Sequence, residues 1–119
     1  TEAIRLLAFA QNKVYHKSYD EIIPLLRNFD FKLGGKLRAL GMLSIAYYEE
    51  EAFDLLYNHL ENFERTLKRS KGKISKTYFL SNKNFILIIK LLLRRKSDIN
   101  IADYNYLIFR PWVVEKLNT

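Results

Sequence analysis

Residues 37–63 constrain the fold of this chain most, because they carry two helical patterns with almost no loop between them. Apolar residues three and four positions apart form one stripe on each side of an acidic corner at residues 49–51. The first stripe contains Leu37, Leu40, Leu43 and Tyr47, and the second contains Phe53, Leu56, Tyr57, Leu60 and Phe63. A connection this short makes the two helices antiparallel neighbours. The segment therefore predicts a helical hairpin, the building unit of an α-solenoid.

The composition fits a packed and mostly helical domain. The chain of 119 residues is 49% hydrophobic and 28% charged, with four Gly and two Pro. This mixture excludes a disordered chain and fits a single domain over residues 1–119. The absence of cysteine excludes disulfides and thiolate metal sites. Because the first residue is Thr rather than Met, we expect the N-terminus to be cut out of a longer protein.

No segment of the sequence is long and apolar enough to predict a membrane span. The longest apolar run, residues 85–93, has nine positions and contains Lys90. A membrane-spanning helix needs about 20 apolar residues. We therefore expect a soluble chain, with the cytoplasm as its compartment.

The net charge of +7 is distributed unevenly along the chain. Residues 1–64 contain seven Lys/Arg and ten Asp/Glu, a net charge of −3. Residues 65–119 contain thirteen Lys/Arg and three Asp/Glu, a net charge of +10. A basic half is typical of chains that bind nucleic acid or another anionic partner. The asymmetry also fits an acidic and a basic half that pair within one chain or between two subunits.

The rest of the chain shows further helical patterns. The first helix is apolar on more than one side, which predicts neighbours on two sides, either a preceding repeat or another subunit. Ser18 and Glu21 fit a capping box that starts the second helix, and Ser75 fits the N-cap of the fifth. The fifth helix has an apolar second half and is expected to be the most buried. The predicted helices cover residues 2–15, 19–29, 36–48, 50–69, 76–96, a short segment near 101–109, and 111–117.

These helices predict an all-α fold. We expect an α-solenoid of antiparallel helical hairpins, followed by a long C-terminal capping helix and a short terminal helix. Hairpin one covers residues 1–33, hairpin two covers residues 34–70, and the capping helices cover residues 71–119.

Two segments resemble tetratricopeptide (TPR) repeats. Residues 18–23, SYDEII, resemble the DYxxA start of the second helix of such a repeat, and residues 37–41, LRALG, resemble its W-x-x-L-G pattern. Ala8 and Gly41 occupy two successive hairpins, and their separation is close to the length of a TPR repeat. The resemblance implies a TPR-like solenoid whose usual role is to bind other molecules, and it carries no catalytic residues.

The chain departs from the TPR pattern at several positions. It has no Trp at the first consensus position, Ile22 and Phe53 stand where Ala is usual, and no Pro closes either second helix. Residues 110–117, RPWVVEKL, are similar to the RxWLxEKI-like helix that ends TPR-like proteins of Bacteroidetes. This similarity implies the C-terminal segment of such a protein, with degenerate repeats.

One cluster of side chains has the composition of a binding site for a polyanion. Six basic residues within twelve positions surround a predicted turn and can neutralise phosphates. They are Arg65, Lys68, Arg69, Lys71, Lys73 and Lys76. Solvated helix ends are the alternative interpretation of the same cluster. Tyr78 and Phe79 lie close to it in sequence and fit either base stacking or a core stripe.

Other candidate residues give weaker signals. His16 and His59 lie far apart in a sequence without cysteine, so they are expected at the surface or at helix ends rather than in a zinc site. The acidic corner is expected to be a solvated helix start rather than a metal site. Three tyrosines are candidates for partner binding on a solenoid face: Tyr15, Tyr47 and Tyr48.

The sequence contains no catalytic constellation, so we expect no enzymatic activity, cofactor or bound metal. The leading interpretation is a protein-interaction scaffold that binds a peptide or a partner helix through a solenoid face. The alternative is a nucleic-acid-binding module that uses residues 65–76. A third interpretation is an oligomerisation domain in which acidic and basic halves pair head to tail.

Overall fold

The fold is all-helical, as the sequence predicts. The computed structural model describes residues 1–95 and 98–119, and these residues contain no strand. Lys96, the predicted last residue of the fifth helix, lies outside the described residues. The helices are α1 (Glu2–Tyr15), α2 (Ile22–Asn28), α3 (Leu33–Glu49), α4 (Phe53–Ser70), α5 (Lys76–Leu93), a 3-10 helix (Ile101–Asp103) and α6 (Arg110–Leu117).

The chain divides into two compact units. Unit 1 comprises Thr1–Thr66 and unit 2 comprises Leu67–Thr119, so the division falls inside α4. Unit 1 therefore contains α1, α2, α3 and most of α4. Unit 2 contains the end of α4 and all the helices that follow.

Helix α3 is the centre of unit 1. Every residue from position 39 to position 47 is buried, and both α1 and α2 pack against this helix. Ala39, Gly41, Ser44 and Ala46 are small, which lets neighbouring helices approach closely, since the distance between helix axes depends on the side chains at the contact. The prediction that the fifth helix is the most buried is wrong, because Leu87 of α5 is 44% exposed and several of its other residues are only half-buried.

Helix α4 turns back along α3, which confirms the hairpin predicted over residues 37–63. Near the corner the rings of Tyr48 and Phe53 lie 5.8 Å apart in an edge-to-face arrangement. Further from the corner, Nε2 of His59 lies 2.8 Å from the carbonyl oxygen of Leu40. Only two antiparallel helices can make both contacts at these positions of the sequence.

Helices α1 and α3 end in the same backbone motif. After α1, the N–H of Ser18 donates to the carbonyl of Lys13 at 2.8 Å, and after α3 the N–H of Ala52 donates to Tyr47 at 2.9 Å. In each case the preceding residue adopts the left-handed conformation, with φ of 60° at Lys17 and 57° at Glu51. These are Schellman motifs that carry a charged residue where glycine is usual.

The two halves of unit 1 share one register. The number of positions that separates the left-handed residues Lys17 and Glu51 also separates the two members of three pairs of buried residues. These pairs are Ala10 with Ser44, Ile22 with Leu56, and Leu26 with Leu60. Unit 1 therefore consists of two helix-turn-helix pairs with equivalent turns and equivalent buried positions.

The second helix starts later than predicted, and the predicted capping box does not form. Helix α2 begins at Ile22, with Glu21 as an N-cap that makes no side-chain hydrogen bond to the helix. The Glu21 carboxylate instead forms an ion pair with Nζ of Lys13, 2.7 Å away. Tyr19, the predicted first helical residue, precedes the helix and is buried.

Unit 2 is built around α5 and α6. Ser75 caps α5 as predicted, because its Oγ accepts from the N–H of Tyr78 at 3.1 Å. The ring of Phe85 lies 5.4 Å from that of Phe109 and 6.1 Å from that of Trp112, the anchor of α6. The predicted short helix near 101–109 is wrong, since only the three residues of the 3-10 helix form there. The Asn100 side chain starts this helix by accepting from the N–H of Ala102.

The left-handed residue at the α3–α4 corner generates a prediction about stability. Glu51→Gly should raise the free energy of unfolding by about 1 kcal/mol, because glycine adopts positive φ without the steric cost of a Cβ atom. Glu50→Gly is the matched control: it removes a carboxylate from the same corner at a residue with φ of −83°. That variant should be no more stable than wild type. Urea unfolding measures both, and equal shifts of the two midpoints would contradict the backbone explanation.

Two adjacent glycines in the first turn of α3 generate a second prediction. A Cβ atom at Gly35 would lie 3.3 Å from Cδ1 of Leu7, whereas one at Gly34 would have no neighbouring atom within 4 Å. Gly34→Ala should therefore gain up to about 1 kcal/mol of helix propensity. Gly35→Ala should gain less, since Leu7 has to move. Thermal unfolding of the two variants checks the order, and a more stable Gly35→Ala variant would show that α1 and α3 are not in close contact there.

Candidate functional site

A groove of about 570 Å³ lies in unit 1 between the end of α2, the connection to α3, and the helices α3 and α4. Its apolar part includes Leu40, Leu43 and Tyr47 of α3, together with Leu55 of α4, whose side chain is 50% exposed. We call it the α2–α4 groove. Its polar part consists of Arg27, Asn28, Asp30, Lys36, Asn58, His59 and Asn62.

Three carboxamides give the α2–α4 groove its hydrogen-bonding character. Asn58 and Asn62 are exposed and lie one turn apart on α4, and Asn28 is exposed at the end of α2. A carboxamide presents both an acceptor oxygen and a donor NH2 group. This combination matches the C=O and N–H groups of a peptide backbone. The groove can therefore pair with main-chain atoms while its apolar part receives a side chain.

His59 fixes the wall that α4 contributes to the groove. Because the Leu40 carbonyl only accepts, Nε2 of His59 must carry the hydrogen and donate it across 2.8 Å. The same carbonyl accepts from Oγ of Ser44 at 2.8 Å. The imidazole also lies edge-to-face against Tyr47, with ring centroids 5.3 Å apart. The ring is half-buried, so the expectation of a surface histidine is wrong.

Burial lowers the pKa of His59, because the charged imidazolium loses its contact with water. The hydrogen bond to the Leu40 carbonyl acts in the opposite direction and raises the pKa, while the positive charge of Arg27 lowers it. The balance is a depressed pKa. His59 is therefore a neutral hydrogen-bond donor at neutral pH, and its role is to hold α4 against α3.

The three candidate tyrosines occupy different environments. Tyr47 is only 5% exposed and lies in the α2–α4 groove, whereas Tyr15 is 80% exposed on α1. Tyr48 is half-buried beside Phe53. Unit 1 therefore does not bring the three together into one binding site.

The outer face of α1 carries the exposed side chains of Ile4 and Tyr15, whereas exposed Phe9 lies about 140° away from Ile4 around the helix axis. Ile4 is 66% exposed and Phe9 is 42% exposed. Tyr15 and Ile4 border a shallow surface that reaches Arg38 of α3, and Nη2 of Arg38 donates to Oε1 of Gln11 at 2.8 Å. The packing of helix one against a preceding repeat or another subunit stays a prediction.

The predicted polyanion-binding residues are all exposed, and they divide between the two units. Arg65 belongs to unit 1. The other five, which we call the basic corner, are exposed and belong to unit 2: Lys68, Arg69, Lys71, Lys73 and Lys76. The two aromatic residues near the cluster, Tyr78 and Phe79, are half-buried.

Metal ligands are not gathered anywhere in residues 1–95 and 98–119, which contain no group of three or more His, Asp or Glu side chains able to hold an ion. The acidic corner is the turn between α3 and α4, where Glu49 ends the helix and Glu51 adopts the left-handed conformation. Over the same described residues, no helix is both long and apolar enough to cross a membrane.

Comparisons with known proteins give no relative for this chain. No family model, no curated protein and no solved structure matches it.

Sequence reasoning missed the α2–α4 groove, although part of its signal was present. Asn58 and Asn62 are four positions apart, which places them on one face of a helix. His59 lies three positions after Leu56 and four before Phe63, so the helical period places it beside the apolar stripe. The groove itself could not be predicted, because its other wall comes from residues 26–31.

The buried contact of His59 predicts a pH-dependent stability. The unfolded chain, with a histidine pKa of about 6.5, binds this proton more readily than the folded chain does. The contribution of His59 to the free energy of unfolding should therefore be fully present above the unfolded pKa. It should fall as the pH drops from about 7 towards 5, by at most about 1.4 kcal/mol per pH unit.

Two variants isolate this effect in urea titrations at a series of pH values. His59→Gln keeps a donor near the Leu40 carbonyl but removes the titration, so its stability should depend less on pH. His16→Gln, at the exposed end of α1, should keep the wild-type dependence because His59 is intact. Parallel curves for wild type and His59→Gln would contradict the assignment to His59.

Proposed function

We propose that this chain is a non-enzymatic, TPR-like helical-repeat module that binds an extended peptide segment of a partner protein in the α2–α4 groove. The observation that carries the proposal is the combination of an apolar part with exposed carboxamides in one groove of about 570 Å³. Binding pockets commonly combine an apolar lining with a few polar groups that fix orientation.

The repeat character of the proposal rests on the register that the two halves of unit 1 share. TPR repeats are helix-turn-helix units of constant length, and the spacing of Lys17 and Glu51 equals that length. The two Schellman turns and the three pairs of equivalent buried positions follow this spacing. We propose that the two hairpins of unit 1 stack as successive repeats of a short TPR-like solenoid.

The peptide interpretation rests on the geometry of the carboxamides. Asn58 and Asn62 project from adjacent turns of α4, about 6 Å apart along the helix axis. Leu55 is half-exposed within the same groove and offers an apolar contact for a side chain of the ligand. Hydrogen bonds to the main chain supply affinity, and the apolar contact supplies selectivity.

A selected peptide tests this function. A phage-displayed library of random peptides is panned against the chain, and an enriched peptide is titrated by isothermal calorimetry. Asn58→Ala combined with Asn62→Ala should weaken its binding by about tenfold or more, since each hydrogen bond contributes about 1 kcal/mol. Asn12→Ala combined with Asn105→Ala removes two exposed carboxamides outside the groove and should leave the affinity unchanged.

Amide chemical shifts locate the bound peptide independently of the variants. The proposal expects shifts at residues of the α2–α4 groove. Failure to enrich any peptide, or shifts confined to the outer face of α1, would overturn the peptide-binding assignment of this groove.

A further inference from the structure

The chain contains a long stretch without any acidic residue. Between Glu64 and Asp98 there are eleven Lys and Arg and no Asp or Glu. Cations on helix surfaces are commonly balanced by acids three or four positions away. Lys68 follows Glu64 by four positions, but the other cations from Arg69 to Lys90 have no acid within four positions on either side. Most of the positive charge of this stretch is therefore not neutralised by its neighbours along the chain.

The basic corner concentrates this charge at the surface of unit 2. Its five side chains are exposed, and none of them forms an ion pair with any residue that the structure describes. Lys76 is the first residue of α5, whose first turn contains no acidic residue. A cation in this position opposes the helix dipole, which favours negative charge at a helix N-terminus. Lys68 and Arg69 lie in the last turn of α4, where a cation is favourable, so helix stabilisation accounts for these two residues but not for Lys76.

The turn that carries the basic corner has a defined backbone. Ser70 is fully buried, and its Oγ donates to the carbonyl of Leu67 at 2.6 Å. Its carbonyl in turn accepts from the N–H of Lys73 at 2.8 Å. Gly72 adopts a φ of 85°, a conformation that glycine tolerates best. These bonds fix the backbone from which the cations project.

The surface of the basic corner lacks exposed apolar side chains. Within residues 67–77, Leu67 is buried and Ile74 is half-buried, whereas the exposed positions are all basic, polar or glycine. Protein interfaces have an apolar core, and membrane-bound helices insert Trp, Phe or Leu. A site that binds phosphates by charge alone needs neither an apolar core nor inserted apolar side chains.

We propose that the basic corner binds the phosphate backbone of double-stranded nucleic acid, independently of the base sequence. The choice of a duplex follows from the aromatic residues. Binding of single strands uses exposed aromatic rings on which bases stack, but Tyr78 and Phe79 are half-buried. The site shares no residue with the α2–α4 groove, since all five residues belong to unit 2.

Fluorescence anisotropy of a labelled short duplex of random sequence tests this inference. Affinity should fall steeply between about 50 and 200 mM salt, and engagement of all five cations would give a slope of log K against log salt near −4.5. Lys71→Glu combined with Lys73→Glu should weaken binding at least tenfold. The milder pair Lys71→Gln with Lys73→Gln should reduce the magnitude of the slope by about 2.

A matched pair separates the basic corner from the overall charge of the chain. Arg5→Glu combined with Lys32→Glu changes two exposed cations of unit 1 and lowers the net charge by the same four units, from +7 to +3. This pair should keep most of the affinity. Circular dichroism confirms that every variant retains its helix content.

Three results would overturn the inference. The first is no duplex binding at low salt. The second is equal weakening by both glutamate pairs, which would indicate attraction to net charge alone. The third is stronger binding to the single strand, or to phosphatidylserine vesicles, than to the duplex, which would reassign the corner to another ligand.

Discussion

Unit 1 depends on the burial of one helix, α3. Its segment 39–47 is buried without interruption, which is possible because four of these nine residues are Ala, Gly or Ser. Because this segment is buried on all sides, its polar groups need hydrogen-bond partners within the protein. The Leu40 carbonyl has two of them, since it accepts from Ser44 inside the helix and from His59 across the helix pair. This shared acceptor fixes how α4 lies on α3, and the α2–α4 groove forms beside it.

The two hairpins of unit 1 repeat each other in structure although few residues are the same at equivalent positions. Lys17 and Glu51 are not the residues that a left-handed position prefers, yet both occupy it in equivalent turns. Ala10 and Ser44 differ in chemistry but are both small and buried. What repeats at a constant spacing is therefore backbone conformation and side-chain volume. Such a repeat is weak in sequence and clear in structure.

Periodicity predicted the helices well where a helix has one apolar face and less well elsewhere. For the amphipathic α4, the predicted bounds 50–69 differ from the observed Phe53–Ser70 by three residues at the start and one residue at the end. Helix α3 was predicted, but its central position was not, because the apolar second half of α5 indicated the more buried helix. The capping box failed because Glu21 has a competing partner, Lys13, which only the packing of α1 reveals. A groove built from separate segments leaves no periodic signal.

The net positive charge of the chain comes from unit 2, whereas the α2–α4 groove lies in unit 1. Unit 1 contains eight Lys/Arg and ten Asp/Glu, a net charge of −2, whereas unit 2 contains twelve and three, a net charge of +9. The near-neutral unit has the groove with carboxamides, whose hydrogen bonds are short-range and little affected by salt. The cationic unit has the basic corner, whose attraction is long-range and screened over about 10 Å at moderate salt. The overall charge of +7 is therefore no guide to the chemistry of the groove, which is set by its carboxamides and its apolar part.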